Sequence, residues 1–475
     1  MRAAVALVAA CLALAALTLL APSSPSYDPF AWIVWGRELM PGAGGEPFGL
    51  AGGPSWKPLP VLFTAPFALV GDAAPALWLL VARAGLLLAL AGAFALGRRL
   101  AGAAAGVIAA VLVLLLDGLV SLAWRGASEP LLLAATLWAI ERHLAGARRS
   151  AFLLGVAAAL IRPEAVPFLA LYAWWLWRRE GARGRALLLG GLALVPLLWI
   201  GLPGLAGDPF AAGATAQTDV GAQTSPLTAL RRGLELPVSG VWLLALACSQ
   251  VASRGRERAV ELLLFGACAW VALIVAMTAA GFAGVARYML PAAAVASVVA
   301  AVAVVELLAR AMRVRTRRRA LRALLAAAAV VLVGLVVEHA TTLPGQIREG
   351  NAVARSHEQL RAAVEAAGGP AALRRCTLDG WVAVNHTTQS ALAWELRSGL
   401  DRVARTMRRP GLLVRAPRSA AAGAPPALAL AAPRTAPVAR AGAWSVLAVR
   451  SGDVPLPAAC RARKASGPPR RIPNI

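Results

Sequence analysis

The chain has 475 residues, of which 59% are hydrophobic and only 15% are charged. A soluble protein of this length carries roughly a quarter charged residues, so the composition excludes a soluble globular protein and predicts a mainly α-helical, polytopic membrane protein. The net charge of +25 does not by itself indicate nucleic-acid binding, because in a membrane chain the positions of the cations carry the information.

The first apolar run covers residues 2–21 and is long enough to cross a bilayer. It also resembles a signal peptide, and the residues before Cys11 weakly resemble a lipoprotein cleavage site. However, the run stays apolar well beyond Cys11, where a lipoprotein turns polar. We therefore expect a retained first transmembrane helix.

Further apolar runs bring the predicted number of transmembrane helices to about eleven. These runs lie near residues 76–97, 102–122, 130–144, 151–161, 165–177, 186–203, 237–253, 259–281, 289–309 and 322–338. Several are short, and the two that flank Arg162-Pro163-Glu164 also fit a bent hairpin in which Arg162 and Glu164 form a structural ion pair.

Clusters of arginine alternate along the chain with loops that hold only isolated cations. The clusters are Arg98-Arg99, Arg142 with Arg148 and Arg149, Arg178 to Arg185, Arg254 to Arg258, and Arg310–Arg322. With the N-terminus in the cytoplasm, every cluster falls on the inner face, as the positive-inside rule requires. This arrangement predicts a multi-pass protein of the cell membrane in contact with membrane lipids, and it gives the clusters a topological role and no nucleic-acid partner.

The apolar periodicity stops near residue 340. We therefore divide the chain into a transmembrane domain, 1–340, whose first outer loop is 22–60, an extracytoplasmic α/β domain, 341–460, and a disordered tail, 461–475. In the second domain the pattern predicts a helix over 345–368, strands at 411–414 and 444–449, and a loop over the Ala- and Pro-rich stretch 419–439. Cys376 and Cys460 are expected to form a disulfide there, which requires an oxidising compartment.

Asp28 in the first outer loop is the candidate catalytic residue. Asp followed by Pro is typical of a helix N-cap, and a carboxylate held in this way can act as general base for an acceptor hydroxyl. The following helix is predicted to lie in the membrane interface, with Trp32 and Trp35 at headgroup depth.

The other candidates lie at or near the outer ends of predicted helices, where isolated charges are informative. The predicted substrate-binding residues are Lys57, Arg83, Arg125, Glu129, Arg287 and Tyr288. Cations at these positions suit phosphate binding. Three of the cations also have a structural interpretation: Lys57 as a snorkelling anchor, Arg83 paired with Asp117, and Arg125 paired with Glu129.

No triad, zinc motif or phosphate-binding glycine loop lies in a suitable sequence context, and the four histidines are scattered. No cofactor is therefore predicted, and a divalent cation stays open.

Several short motifs, in this order, resemble the GT-C superfamily of membrane glycosyltransferases. The resemblance is greatest to the branch that contains protein O-mannosyltransferases and bacterial aminoarabinose transferases. The motifs are the early Asp28, the turn Lys57-Pro58-Leu59-Pro60, Arg83, Gly97-Arg98-Arg99-Leu100, Ser128-Glu129-Pro130, and Arg287-Tyr288 with Pro291.

The resemblance covers about residues 1–340 and implies an inverting glycosyltransferase. A sugar would pass from a polyprenyl-phosphate donor to a lipid, glycan or protein acceptor on the extracytoplasmic face, with Asp28 as base and the cations holding the phosphate. Two alternatives stay open. A transporter or flippase is favoured only by the break at Arg162-Pro163-Glu164. A non-catalytic envelope scaffold fits the presence of Pro29 where many relatives carry a second carboxylate.

Overall fold

The computed structural model describes residues 2–43, 47–218, 224–251, 257–313, 330, 333–452 and 454–461. The chain divides into two compact units. The first unit comprises Met1–Ala21, Ser55–Pro60 and Ala76–Gly350, and the second comprises Pro22–Pro54, Val61–Pro75 and Asn351–Ile475. Most of residues 22–60, the stretch predicted to form the first outer loop, therefore belongs to the same unit as the C-terminal region.

Most of the described chain is α-helical. The α-helices are α1 (Arg2–Thr18), α2 (Tyr27–Leu39), α3 (Pro58–Phe67), α4 (Ala74–Ala101), α5 (Ala103–Leu114), α6 (Leu119–Trp124), α7 (Glu129–Leu144), α8 (Arg148–Ala159), α9 (Val166–Trp177), α10 (Ala182–Pro196), α11 (Leu202–Leu205), α12 (Ala211–Thr218), α13 (Pro226–Leu234), α14 (Val241–Val251), α15 (Glu257–Ala279), α16 (Leu290–Arg313), α17 (Leu343–Ala366), α18 (Gly369–Asp379) and α19 (Gln389–Glu395). Two short 3-10 segments, Pro163–Ala165 and Ala286–Met289, precede α9 and α16.

Among the described residues, four helical runs are long and apolar enough to cross a membrane: Pro58–Ala101, Ala182–Leu205, Glu257–Ala279 and Ala286–Arg310. Arg2–Thr18 and Ala103–Leu114 are shorter apolar helices. The polytopic helical fold is thus confirmed, but the predicted number of about eleven spans is not. The predicted span at 322–338, the cluster Arg310–Arg322 and the tail 461–475 lie mostly outside the described residues.

Helix α16 is central to the first unit, because almost every side chain from Leu290 to Ala303 is buried. Its sequence is mainly Ala and Val, and small side chains let neighbouring membrane helices approach closely. The same device operates between α4 and α5, where a Cβ on Gly97 would lie only 2.7 Å from the carbonyl oxygen of Ala105.

The second unit contains a four-stranded sheet in the order β1-β3-β6-β5. The strands are β1 (Trp381–Val384), β2 (Thr406–Met407), β3 (Gly411–Arg415), β4 (Ala427–Leu428), β5 (Pro433–Ala441) and β6 (Trp444–Ser451). β1 and β3 are parallel, whereas β6 is antiparallel to both β3 and β5. A disulfide joins Cys376 and Cys460, which confirms the predicted pairing.

The structure confirms the predicted helix over 345–368 and both predicted strands, but it corrects the loop predicted over 419–439. Strand β5 occupies part of that stretch and pairs with β6. Proline is tolerated in β5 because the strand lies at the edge of the sheet, and the register shifts between Pro437 and Ala439. An Ala- and Pro-rich composition therefore does not distinguish a loop from an edge strand.

Helix α2 also differs from its prediction. The side chains of Trp32 and Trp35 are 0% exposed, and every residue from Pro29 to Arg37 is buried. A helix that is apolar on all sides is stabilised by packing in a core rather than at an interface. The side chains of Trp32 and Trp35 therefore pack inside the second unit and not among lipid headgroups as predicted, whereas the position of α2 in the membrane interface stays a prediction.

Helix α17 brings His357 next to the segment that precedes α2. The Nδ1 atom of His357 lies 2.8 Å from Ser24 Oγ, and the imidazole contacts the ring of Phe30 edge-on at 5.5 Å. Its Nε2 atom is buried without a hydrogen-bond partner among the described residues. Burial, and then the charge of Arg361, lower the pKa of His357 to about 4.

Candidate active site

A buried ion cluster lies in the first unit around Glu129, which begins α7 and is 1% exposed. Three cations approach its Oε1 atom: Lys57 Nζ at 3.7 Å, Arg162 Nη2 at 3.4 Å and Arg287 Nε at 3.6 Å. Arg162 also binds Glu164, with Nη1 2.9 Å from Oε1. We call Lys57, Glu129, Arg162, Glu164 and Arg287 the Glu129 cluster.

The local sequence explains how Glu129 is placed. It follows Ser128, the N-cap of α7, and precedes Pro130 in the first turn of that helix, a position that suits proline. A carboxylate at a helix N-terminus is stabilised by the helix dipole, and neighbouring cations favour its ionised form. The motif predicted from the sequence is therefore a helix start that carries a buried acid.

Lys57 reaches the cluster from the residue before α3. Its Nζ atom donates a hydrogen bond to Ser128 Oγ at 2.9 Å, and the residue is only 8% exposed. The neighbouring Trp56 fixes this segment, because its indole N–H donates to the carbonyl oxygen of Leu198 at 3.0 Å. The interpretation of Lys57 as a snorkelling anchor was wrong, because the ammonium group is turned into the protein.

Arg162 is the residue before the 3-10 segment Pro163–Ala165, and Arg287 lies in the 3-10 segment Ala286–Met289. The guanidinium carbon of Arg162 lies 3.4 Å from the ring centroid of Tyr288, so Tyr288 supports a cation of the cluster. The structural pair predicted between Arg162 and Glu164 is confirmed, and Glu129 extends it. Sequence reasoning missed this extension, because the segments are far apart along the chain.

The five side chains of the Glu129 cluster are three cations and two carboxylates, with a formal sum of 3 − 2 = +1. Lys57 and Arg287 also have further contacts. Glu129 Oε2, Glu164 Oε2 and Arg162 Nε are buried and have no hydrogen-bond partner among the described residues. The side chain of Arg287 is 30% exposed, whereas that of Arg162 is 5% exposed. Arg287 is thus the member best placed to meet a ligand.

Arg83 has a different set of partners. Its Nη1 atom donates to the carbonyl oxygen and to Oγ1 of Thr18 at 2.9 and 3.0 Å, and Nη2 donates to the carbonyl oxygen of Trp124 at 3.1 Å. The guanidinium also lies over the Trp124 ring at 4.1 Å. These contacts tie α4 to α1 and α6, whereas Asp117, the partner considered from the sequence, is exposed. A role in phosphate binding stays a prediction for Arg83.

Arg125 pairs with the start of α17. Its Nη1 atom lies 3.2 Å from Glu349 Oε1, and Ser121 Oγ donates to Glu349 Oε2 at 2.8 Å. Arg125 and Glu129, considered as a pair from the sequence, thus each have other partners. A role for Arg125 in substrate binding stays a prediction.

Asp28 lies in the first turn of α2, in the second unit. The helix begins at Tyr27 with Ser26 as its N-cap, so the prediction that Asp28 itself is the cap was wrong. Its carboxylate is nevertheless at the end of the helix where negative charge is favoured. The shared pocket predicted for Asp28 and the cations is not tested, because those cations belong to the first unit.

Side chains of the C-terminal region surround the residue before Asp28. The hydroxyl of Tyr27 donates to Gln389 Oε1 at 3.2 Å, and Ser390 Oγ donates to the carbonyl oxygen of Tyr27 at 2.5 Å. The ring of Tyr27 lies 5.5 Å from that of His386, whose Nε2 accepts a hydrogen bond from Arg405 Nη1 at 2.8 Å. No local pattern in the sequence signalled these long-range contacts.

Among the described residues, no group of three or more His, Cys, Asp or Glu side chains is placed to hold a metal ion. The Glu129 cluster brings its two carboxylates together with cations instead. Its chemistry is that of an anion site, since guanidinium and ammonium groups bind phosphate and carboxylate oxygens.

Neither the protein-family models nor the curated proteins gave a match to this sequence. Among solved structures, the chain is similar to ArnT from Cupriavidus metallidurans bound to undecaprenyl phosphate, with a TM-score of 0.58 and 15% identity over 96% of this chain and 100% of that one. It is also similar to ArnT from Cupriavidus metallidurans in the apo state, with a TM-score of 0.55 and 15% identity over 94% of this chain and 98% of that one. The chain therefore shares the fold of these structures, as the predicted mainly α-helical membrane architecture with a small C-terminal α/β region requires.

Proposed function

We propose that this protein is an inverting glycosyltransferase of the cell membrane. It moves a sugar from a polyprenyl-phosphate donor to a lipid, glycan or protein acceptor on the extracytoplasmic face. The observation that carries the proposal is the Glu129 cluster, which gathers three cations around two carboxylates and leaves the side chain of Arg287 30% exposed. The similarity to a structure bound to undecaprenyl phosphate supports the assignment of a lipid phosphate to this charge.

Phosphate stabilisation follows from the charges of the cluster. When the bond between sugar and phosphate breaks, negative charge grows on the leaving polyprenyl phosphate. Arg287 offers a planar donor for two phosphate oxygens, and Lys57 offers a compact charge. Donors that are fixed before the reaction stabilise the developing charge without having to reorganise. Glu129 balances the cations in the resting protein rather than contacting the donor.

Asp28 is proposed as the general base for the acceptor hydroxyl. Positioned bases of this kind contribute about 10²–10⁴ to a rate. The position of Asp28 in the first turn of a buried helix supports this role, because its backbone is fixed by the core of the second unit. An acceptor that is already ionised, such as a phosphate, would not need the base.

The proposed orientation places the N-terminus in the cytoplasm and the C-terminal region outside. The disulfide between Cys376 and Cys460 supports this orientation, because disulfides persist in oxidising compartments and are rare in the cytosol.

Binding of undecaprenyl phosphate to the purified protein in lipid nanodiscs tests the phosphate site. We expect Arg287→Ala to weaken binding about 10- to 100-fold, since a hydrogen bond to a charged group contributes about 1.5–3 kcal/mol. Arg231→Ala is the matched control, because Arg231 is 78% exposed and pairs locally with Glu235. Equal affinities for the two variants would contradict the assignment.

Transfer from polyprenyl-phosphate mannose or aminoarabinose, assayed in membranes, tests the base. We expect Asp28→Asn to lower the transfer rate about 10²–10⁴-fold while binding undecaprenyl phosphate normally. Full transfer by this variant would exclude Asp28 as base. Movement of labelled donor across liposomes without transfer would instead favour a flippase, and retained cellular function after loss of both Asp28 and Lys57 would favour a scaffold.

A further inference from the structure

The helix that carries Asp28 is part of the C-terminal fold. The second unit combines Pro22–Pro54, which contains α2, with Val61–Pro75 and Asn351–Ile475. Within this unit α2 is buried from Pro29 to Arg37, and Gly36 fits so closely against α3 that an added Cβ would lie 2.6 Å from the backbone of Thr64. Thr64 Oγ1 in turn donates to the carbonyl oxygen of Trp32 at 2.7 Å.

Helix α19 holds the first residue of α2. Ser390 is 0% exposed and donates to the carbonyl oxygen of Tyr27, and Gln389 is 2% exposed and accepts from the hydroxyl of the same residue. Gln389 is itself fixed, because its Nε2 atom donates to the carbonyl oxygens of Leu400 and Val403 at 3.1 and 2.6 Å. The residue next to Asp28 is therefore bound by its backbone and by its side chain.

The far end of α2 is held by the same part of the chain. Arg37 is 4% exposed, and its Nη1 and Nη2 atoms donate to the carbonyl oxygens of Trp394 and Ser398 at 3.3 and 3.0 Å. Its guanidinium also lies 5.0 Å from the ring centroid of Trp394. We call the contacts of Tyr27 and Arg37 with residues 389–398 the α2–α19 contact.

We propose that the α2–α19 contact positions Asp28 for sugar transfer, so that Gln389, Ser390 and Arg37 are positioning residues of the reaction. The inference rests on the proposed role of Asp28 as base. It assigns to the C-terminal region a part in the chemical step rather than a role as a separate binding module.

The buried hydrogen bonds at both ends of α2 are what a positioning role requires. A base must lie within hydrogen-bond reach of the proton that it removes, and a displacement of about 1 Å costs on the order of 10²-fold in rate. A contact at only one end would let the helix tilt about that end. With Tyr27 bound at one end and Arg37 at the other, the first turn keeps both its position and its direction.

The role predicts a loss of kcat with little change in the KM for the donor, because the proposed phosphate ligands belong to the first unit. Ser390→Ala removes the hydrogen bond to the carbonyl oxygen of Tyr27, and Arg37→Met removes those at the other end. In the transfer assay we expect each to lower kcat about 10- to 100-fold with the donor KM within about twofold. Arg37→Lys, which keeps a donor near the same carbonyl oxygens, should recover part of kcat.

Ser451→Ala is the matched control. Ser451 lies in the same unit and donates one hydrogen bond, to the carbonyl oxygen of Ala431 at 2.9 Å, but it belongs to β6. This variant should keep wild-type kcat. Hydrogen exchange of residues 27–37, measured without any substrate, should rise in Ser390→Ala and stay unchanged in the control.

The outcomes separate this inference from the proposed function. Wild-type transfer by Asp28→Asn would show that Asp28 is not the general base. It would also overturn the inference, because there would then be no base to position. An inactive Asp28→Asn combined with wild-type kcat in both Ser390→Ala and Arg37→Met would overturn only the inference. An equal loss of kcat in Ser390→Ala and Ser451→Ala would also overturn it, because the effect would then be one of general stability.

Discussion

The contacts of Glu129 allow the effect of Glu129→Gln on the free energy of unfolding to be worked out. The substitution keeps the size of the side chain and raises the net charge of the cluster from +1 to 3 − 1 = +2. Each contact of 3.4–3.7 Å with a cation corresponds to about 5 kcal/mol at an effective dielectric constant of about 20. Desolvation offsets much of this attraction, and loss of one partner from a buried ion pair costs about 3–5 kcal/mol. We expect Glu129→Gln to lower the free energy of unfolding by that amount.

Denaturant unfolding of the protein in detergent micelles measures this change. Glu235→Gln is the matched control, since the side chain of Glu235 is 58% exposed and pairs with Arg231 one helical turn away. An exposed pair of this kind contributes less than about 1 kcal/mol. If both variants unfold at the same denaturant concentration, the cluster does not act as a buried ion group and our reasoning fails.

A double variant tests the charge count itself. Combining Glu129→Gln with the loss of a cation in Arg287→Gln returns the net charge to 2 − 1 = +1. The double variant should therefore be more stable than Glu129→Gln alone, with a coupling free energy of about 1–3 kcal/mol. Additive losses would show that the stability of the cluster does not depend on its charge balance.

Two further predictions concern the second unit. His357 has its pKa lowered to about 4 by burial and by Arg361, so below pH 6.5 the unfolded chain binds a proton that the folded protein excludes. The free energy of unfolding should fall by up to about 3 kcal/mol between pH 6.5 and 4, as measured by denaturant unfolding, and His357→Gln should remove this dependence. Gly36→Ala should destabilise the unit by about 1–3 kcal/mol, because its Cβ would lie 2.6 Å from Thr64, whereas Gly213→Ala, with open space around it, should not.

Much of the architecture follows from the sequence, because apolar periodicity and isolated charges are local signals. The strands at 411–414 and 444–449 and the amphipathic helix near 345–368 were found in this way. The bond between Cys376 and Cys460 followed from the only two cysteines of the polar region. The burial of α2 could not be predicted in this way. A short run with two tryptophans fits both exposed and buried side chains, and only the packing shows that Trp32 and Trp35 are buried.

The candidate site shows the same division. The sequence predicts Lys57, Glu129 and Arg287 independently, each as a charge at the end of an apolar run. The structure brings these three residues into contact. Local sequence could not reveal that Arg162 joins them, because an ion pair with the nearby Glu164 already accounts for its charge. Nor could it reveal that Ser390 and Gln389 hold Tyr27, because these side chains lie more than 360 residues further along the chain.

The proposed phosphate ligands and the proposed base are carried by different units, and this separation has a kinetic consequence. In the proposed reaction, Arg287 contacts the donor both before and during the transfer, so we expect its removal to raise the donor KM and lower kcat. Displacement of Asp28 would affect the base alone, so we expect only kcat to fall. Changes at Arg287 and at Ser390 should therefore be additive in the free energy of the transition state. Strong coupling between them would mean that α19 acts on the phosphate site as well as on the base.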